Sequence, residues 1–230
     1  MDAINKKVNP SSIHTKGEQS DIRKRAIAVG IGNFMEWFDF AIYGYFAAVI
    51  GMLFFPSSAP GVSLLSSLAV FAVGFVSRPF GALILGPIGD RLGRRAVLII
   101  TVFGMGVCTT IIGLLPTYEA IGIAAPVLLI VMRFVQGMMV GGEWSSAGIY
   151  IVESAPSNRR ATAASVITGT AGLAFLFGTF TAASLTSTLD DQQLASWGWR
   201  IPFVASIVMT GIAIFIRRKL GDTPVYEELV

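Results

Sequence analysis

Three stretches of this chain, residues 40–77, 96–118 and 161–189, contain no Asp, Glu, Lys or Arg. Apolar runs of about 18 residues or more are long enough to cross a bilayer as a helix. The first run is too long for one crossing, and Pro56 and Pro60 divide it. Of the 230 residues, 53% are hydrophobic and only 13% are charged. A soluble domain carries about 25% charged residues, so an apolar excess on this scale must meet lipid.

Several function classes fall away early. The first 25 residues are polar and basic, without the short apolar core that a cleavable signal peptide needs. Cys108 is the only cysteine and lies in an apolar run, so no disulfide framework is expected. His14 is the only histidine and sits in the polar tail, which argues against a metal-dependent enzyme. No phosphate-binding GxxxxGK loop is present. The formal charge of +3 is better explained by membrane topology than by an acidic partner such as nucleic acid.

The pattern predicts an all-α integral membrane protein with six spans, near 26–52, 62–88, 96–116, 121–150, 161–187 and 201–217. Residues 1–25 form a basic tail, 26–217 the bundle, and 218–230 the start of a further loop. Cytoplasmic loops are enriched in Lys and Arg. The tail carries Lys6, Lys7, Lys16, Arg23, Lys24 and Arg25. Arg91, Arg94 and Arg95, then Arg159 and Arg160, then Arg217, Arg218 and Lys219 fall on the same side. The opposite side has Arg200 alone, beside Asp190 and Asp191. Both termini are therefore expected in the cytoplasm, in a plasma-membrane protein. Trp197 and Trp199 are expected at the outer interface, where indole rings prefer to sit. Gly32 to Trp37 echoes Gly141 to Trp144. Spans one to three and four to six would then be two inverted three-helix repeats, as transporters often carry. Chance is the rival explanation for so short an echo.

Charges inside a span cost several kcal/mol by most estimates, so they face a bundle interior or a watery cavity. The first span carries Glu36 and Asp39, which share a face, with Tyr43 a turn further on. The fourth carries Arg133, Gln136 and Glu143, which fall on one polar stripe. Arg133 is expected to pair with Glu36 or with Asp39. The functional reading is a substrate and proton pathway. A carboxylate held away from water can load and release protons, and an arginine can hold a solute carboxylate at two points. The plainer reading is an ion pair that aligns helices. Five polar side chains exceed what alignment needs, which favours function for the set. Arg78-Pro79 reads as a helix hinge, with gating as the second reading; Arg78 would answer a carbonyl freed by the proline or a neighbouring acid. Gly169, Gly172 and Gly178 read as close-packing positions.

Between the second and third spans lies Gly86-Pro-Ile-Gly-Asp-Arg-Leu-Gly-Arg-Arg95. It resembles the loop signature of the major facilitator superfamily. Gly86, Asp90, Arg91, Gly93, Arg94 and Arg95 fill every fixed position. Glu36-Trp-Phe-Asp-Phe40 resembles the first helix of the superfamily's metabolite:proton symporter branch. Arg133-Phe-Val-Gln-Gly-Met-Met-Val-Gly-Gly-Glu-Trp144 and Glu153-Ser-Ala-Pro-Ser-Asn-Arg-Arg160 are similar to that branch. So are Trp197-Gly-Trp-Arg-Ile-Pro-Phe203 and Asp222-Thr-Pro-Val-Tyr-Glu227.

The resemblance implies proton-coupled symport of a small organic solute by alternating access, with no cofactor beyond the coupling proton. Branch members carry proline and glycine betaine, shikimate, 2-oxoglutarate or citrate. In the family the region matching Arg133 is linked to proton coupling. In the family the loop is tied to gating: its Asp, here Asp90, would contact a helix of the second half and stabilise the outward-facing state. The helix-five proline of drug antiporters is absent from residues 169–178. The family has twelve spans, so this chain is expected to equal the N-terminal half. It would need a C-terminal six-helix half or a homodimer to enclose a solute. The rival expectation is a truncated fragment without transport activity. A channel or small scaffold ranks third, and an enzyme last, for want of a nucleophile–base or metal constellation.

Overall fold

The computed structural model describes residues 16–154 and 160–219, and all regular structure among them is helical. The basic tail up to residue 15, Arg159 and the segment from residue 220, with Asp222 to Glu227, lie outside the described residues.

Helix α1 (Lys16–Tyr45) is followed at once by α2 (Ala47–Phe54). The chain bends by 66° between them, and together they are long and apolar enough for one crossing. Proline-bracketed residues turn the chain into α3 (Pro60–Val76), which begins on Pro60. A proline in the first turn wastes no hydrogen bond, because the first N–H groups of a helix have no internal partner. Helix α4 (Arg78–Leu92) follows after Ser77, and α3 and α4 together form the second span. Pro79 lies in the first turn of α4, while Ser77 N–H still reaches the Val73 carbonyl at 3.0 Å.

Gly93 is the whole connection to α5 (Arg94–Leu114), the third span. Its φ of 88° lies in the region open to glycine, so a one-residue turn is possible here. A short helix, α6 (Tyr118–Ile121), leads into α7 (Ala124–Ser154), whose apolar section is the fourth span. Helix α8 (Arg160–Thr188) is the fifth. The sixth starts with α9 (Asp191–Gln193), capped by Asp190, passes through a π turn at Leu194–Gly198, and continues as α10 (Arg200–Arg218).

Helix α1 packs on α8, α5 on both α7 and α10, and α4 on α7. The apolar core falls into three layers about two turns apart along α1. Ala28 and Val29 meet Leu98 and Ala147; Met35 meets Val102, Met105 and Val140; Ile42, Tyr43 and Phe46 meet Ile112, Trp199 and Phe203. The outward faces expose large apolar side chains such as Leu83, Phe180 and Val208, as lipid contact requires. Trp199 departs from expectation. The π turn brings it inside, where it is fully buried in edge-on contact with Phe54 and Phe203. Only Trp197 is exposed, as an interfacial indole should be. Of the three α8 glycines, only Gly178 meets a close neighbour, Ala41 of α1.

Spans three and six hold each other at both ends. Arg95, in the first turn of α5, donates to the carbonyls of Arg217 (3.4 Å) and Arg218 at the end of α10. Arg200, in the first turn of α10, donates to the carbonyls of Gly113 (2.8 Å) and Leu115 (2.7 Å) at the end of α5. Each arginine reaches carbonyls at a helix C-terminus, where a positive charge is favoured.

Candidate functional site

Glu36, Asp39 and Tyr43 lie on the face of α1 that looks into the bundle, and all three are buried. Arg133 and Gln136 come from α7 and are equally buried. Arg133 Nη1 donates to Asp39 Oδ2 at 2.7 Å and to Gln136 Oε1 at 2.7 Å. Gln136 Nε2 in turn donates to Thr109 Oγ1 at 2.7 Å, and that hydroxyl sits 3.2 Å from Asp39 Oδ1. The guanidinium lies 3.8 Å over the Tyr43 ring, a cation–π contact. Tyr43 Oη donates to the Ser67 carbonyl of α3 at 3.2 Å. Four helices therefore converge on one buried ion pair. Thr109 and Ser67 belong to this network but read as ordinary hydroxyls of apolar runs in the sequence.

Of the two acids open to Arg133, Asp39 is the partner. Glu36 faces α4 instead and pairs with Arg78 at 3.1 Å. Arg78 is flanked by the Phe40 and Phe75 rings, at 4.9 and 4.5 Å. Of its two expected roles, Arg78 therefore answers an acid. Glu36 and Asp39 are three residues apart, but that spacing still turns them toward different neighbours.

Glu143 is not part of the Arg133 cluster, although it shares α7 with it. It pairs with Arg217 of α10 through both oxygens: Nη1 to Oε2 at 3.0 Å, and Nη2 to Oε1. Arg217 Nε donates to the Ala28 carbonyl of α1 at 3.1 Å, and its Nη1 also donates to the Leu98 carbonyl of α5. Thr101 of α5 donates to Glu143 Oε2. Arg217, counted from the sequence among the cations at the end of the sixth span, is wholly buried. The backbone of Gly32 makes room for this cluster, since a Cβ there would collide with both Arg217 and Glu143.

In the basic turn, Arg94 Nη2 bonds Asp90 Oδ1 at 2.7 Å, bridging the end of α4 and the start of α5 across Gly93. Asp90 is exposed, at 65% of its side chain. Arg95 reaches α10, as described above. A Cβ on Gly89 would press on Arg94 Nη1 at 2.9 Å, whereas one on Gly86 would meet nothing. Arg91 also makes contacts within the fold. The turn is thus well braced, with its acid facing outward.

Two cavities flank Asp39. One, of about 220 Å³, is bordered by Glu36, Gly74, Arg133, Gln136 and Val140. The other, of about 320 Å³, lies between α1, α5 and α10, against Met35, Met105, Thr109, Ser206 and Met209. Among the described residues, no cluster of His, Cys, Asp and Glu could hold a metal ion.

The sequence resembles known transporters along almost its whole length. The glycine betaine/proline/ectoine/pipecolic acid transporter OusA of Dickeya dadantii (strain 3937) is 37% identical over 227 residues, covering 98% of this chain and 45% of that protein. The shikimate transporter of Escherichia coli (strain K12) is 40% identical over 210 residues, covering 91% of this chain and 48% of that protein. The chain thus spans about half the length of the curated relatives it matches. The proton:xylose symporter XylE, a major facilitator superfamily structure bound to 6-bromo-6-deoxy-D-glucose, superposes with a TM-score of 0.81 at 15% identity. That match covers 92% of this chain and 47% of XylE. The sugar (and other) transporter family matches residues 25–228. This chain belongs to that family of membrane transporters, which are not enzymes, and it has the major facilitator fold.

Proposed function

We propose that these six spans form one half of a proton-coupled symporter for a small carboxylate-bearing organic solute, such as proline, glycine betaine or an organic acid. The observation that carries this reading is the buried Asp39–Arg133 pair beside a cavity. Arg133 spends one nitrogen on Asp39 and Gln136, while its Nε and Nη2 find no partner among the described residues. A charge buried at such expense in a membrane protein marks a pathway. Asp39 can take a proton, and the arginine it then releases can hold a solute carboxylate. The relatives' names point to solutes of this class.

Alternating access needs two walls, and here one wall is described. The second would be a further six-helix body, from the same polypeptide, a separate chain or a second copy. Both ends of the bundle would face the cytoplasm, and the basic turn would close on the second body through Asp90. Purified protein in proteoliposomes, alone and with a second half, is given labelled betaine, proline or shikimate under an imposed pH gradient. Accumulation that follows the gradient and requires the second half is expected. Gradient-independent uptake overturns proton coupling. Absence of uptake in every pairing supports a chain without transport activity of its own.

A further inference from the structure

Three buried polar atoms beside one cavity have no protein partner among the described residues: Glu36 Oε2, Arg133 Nε and Arg133 Nη2. Glu36 and Arg133 are each 1% exposed, and both line the cavity of about 220 Å³ that Asp39 and Gln136 also border. A buried unsatisfied group costs about 1–3 kcal/mol, more when it is charged. Three of them around one space call for an occupant that both donates and accepts hydrogen bonds.

Size selects the occupant. The room left in it for a water-sized body is about 10 Å³, enough for roughly one water and too little for a solute. A buried water needs two to four polar partners. The cavity offers that many.

We propose that this cavity holds ordered water that passes protons between Glu36 and Asp39, so that the two carboxylates act as one relay. The inference rests on the symport reading above. The step balances simply. A protonated Glu36 gives its proton to the bridging water as that water gives one to the Asp39 carboxylate. Glu36 is left ionised against Arg78, and Asp39 is left neutral and freed from Arg133. Each acid thus has its own arginine, at 3.1 and 2.7 Å respectively, to stabilise its charged form. The titratable groups facing this space are Glu36 and Asp39 of α1 and Arg133 of α7. Arg78 of α4 pairs with Glu36, Tyr43 packs on Arg133, and Cys108 of α5 lies in the field of Asp39 and Arg133.

The fold provides a mild way to dry this space. Gly74 of α3 lines the cavity, and a Cβ there would meet only the Arg133 carbonyl, at 3.7 Å. Gly74→Ala should therefore fold normally and displace water; Val140→Ile is a second filling variant. Infrared difference spectra of the purified chain in lipid, recorded in ordinary and heavy-oxygen water, read bound water directly. We expect an isotope-sensitive water band that is lost in Gly74→Ala, Val140→Ile and Glu36→Gln. A band absent from the parent, or unchanged in all three variants, overturns the relay. In the assembled transporter, Gly74→Ala should slow gradient-driven uptake at least about tenfold, roughly 1.4 kcal/mol of barrier. Unchanged uptake also overturns it. A parent without any uptake defeats the symport reading, while the water band still decides the hydration site.

Discussion

Glu143 and Arg217 meet in a two-point contact, although 74 residues separate them, and Arg217 also ties in the backbones of Ala28 and Leu98. Four helices meet at this one guanidinium. Buried pairs add little over well-packed apolar residues, but losing one partner strands a charge and costs about 3–5 kcal/mol. Arg217→Ala should therefore lower stability by that amount, read as loss of folded protein in a denaturant or thermal series. Replacing both, as Glu143→Leu with Arg217→Met, should restore most of it. A double variant no better than Arg217→Ala would show that the backbone contacts dominate, not the pair.

Asp39→Asn keeps the shape of the side chain and its contact with Thr109, but it cannot carry the charge that faces Arg133. The bundle should stay folded while gradient-driven accumulation in the complete transporter falls to simple equilibration. Arg133→Ala should abolish coupling too, and should also destabilise, because Asp39 is stranded. Counterflow exchange, which needs no gradient, should survive in Asp39→Asn. Undiminished accumulation in either variant would sink the assignment.

The site was half legible in the sequence, and the reasons are physical. Glu36, Asp39 and Arg133 stand out because charges in apolar runs are expensive and helical spacing puts them on inward faces. Which acid meets Arg133 depends on how α1 is rotated against α4 and α7, and no spacing rule contains that rotation. Arg217 was hidden by company. It stands in a basic cluster at a helix end, where orientation signals also lie, and only the packing of α10 on α5 takes it inside. Thr109 and Ser67 were hidden by chemistry, since hydroxyls in membrane helices ordinarily bond their own backbone, as Thr109 does to the Met105 carbonyl at 3.0 Å. Trp199 misled because interfacial and buried tryptophans occupy the same sequence positions, and a π turn decides between them.

Gly137 and Gly74 face each other across α7 and α3, and they should respond oppositely to one added methyl. A Cβ on Gly137 would run into the Gly74 carbonyl and Ser77 Oγ, so α3 and α7 must part. Overpacking of this kind costs about 1–3 kcal/mol. Gly137→Ala should lose that much stability in the denaturant series, while Gly74→Ala loses less than about 0.5 kcal/mol. Equal losses would mean the two helices are not in backbone contact at this level.

Asp90 offers the cleanest separation of stability from gating. Its bond to Arg94 bridges the Gly93 turn at the surface, and exposed pairs contribute only about 0.2–1 kcal/mol. Asp90→Asn should thus leave the melting of the isolated bundle almost unchanged. If the acid instead latches onto a second six-helix body, the same variant should reduce uptake sharply and shift the assembled transporter toward inward-facing forms. Site-directed labelling of a cysteine introduced on each side of the membrane would read that shift as changed accessibility. Full uptake by Asp90→Asn, with unaltered accessibility on both sides, would leave the exposed carboxylate as nothing more than a helix-end charge.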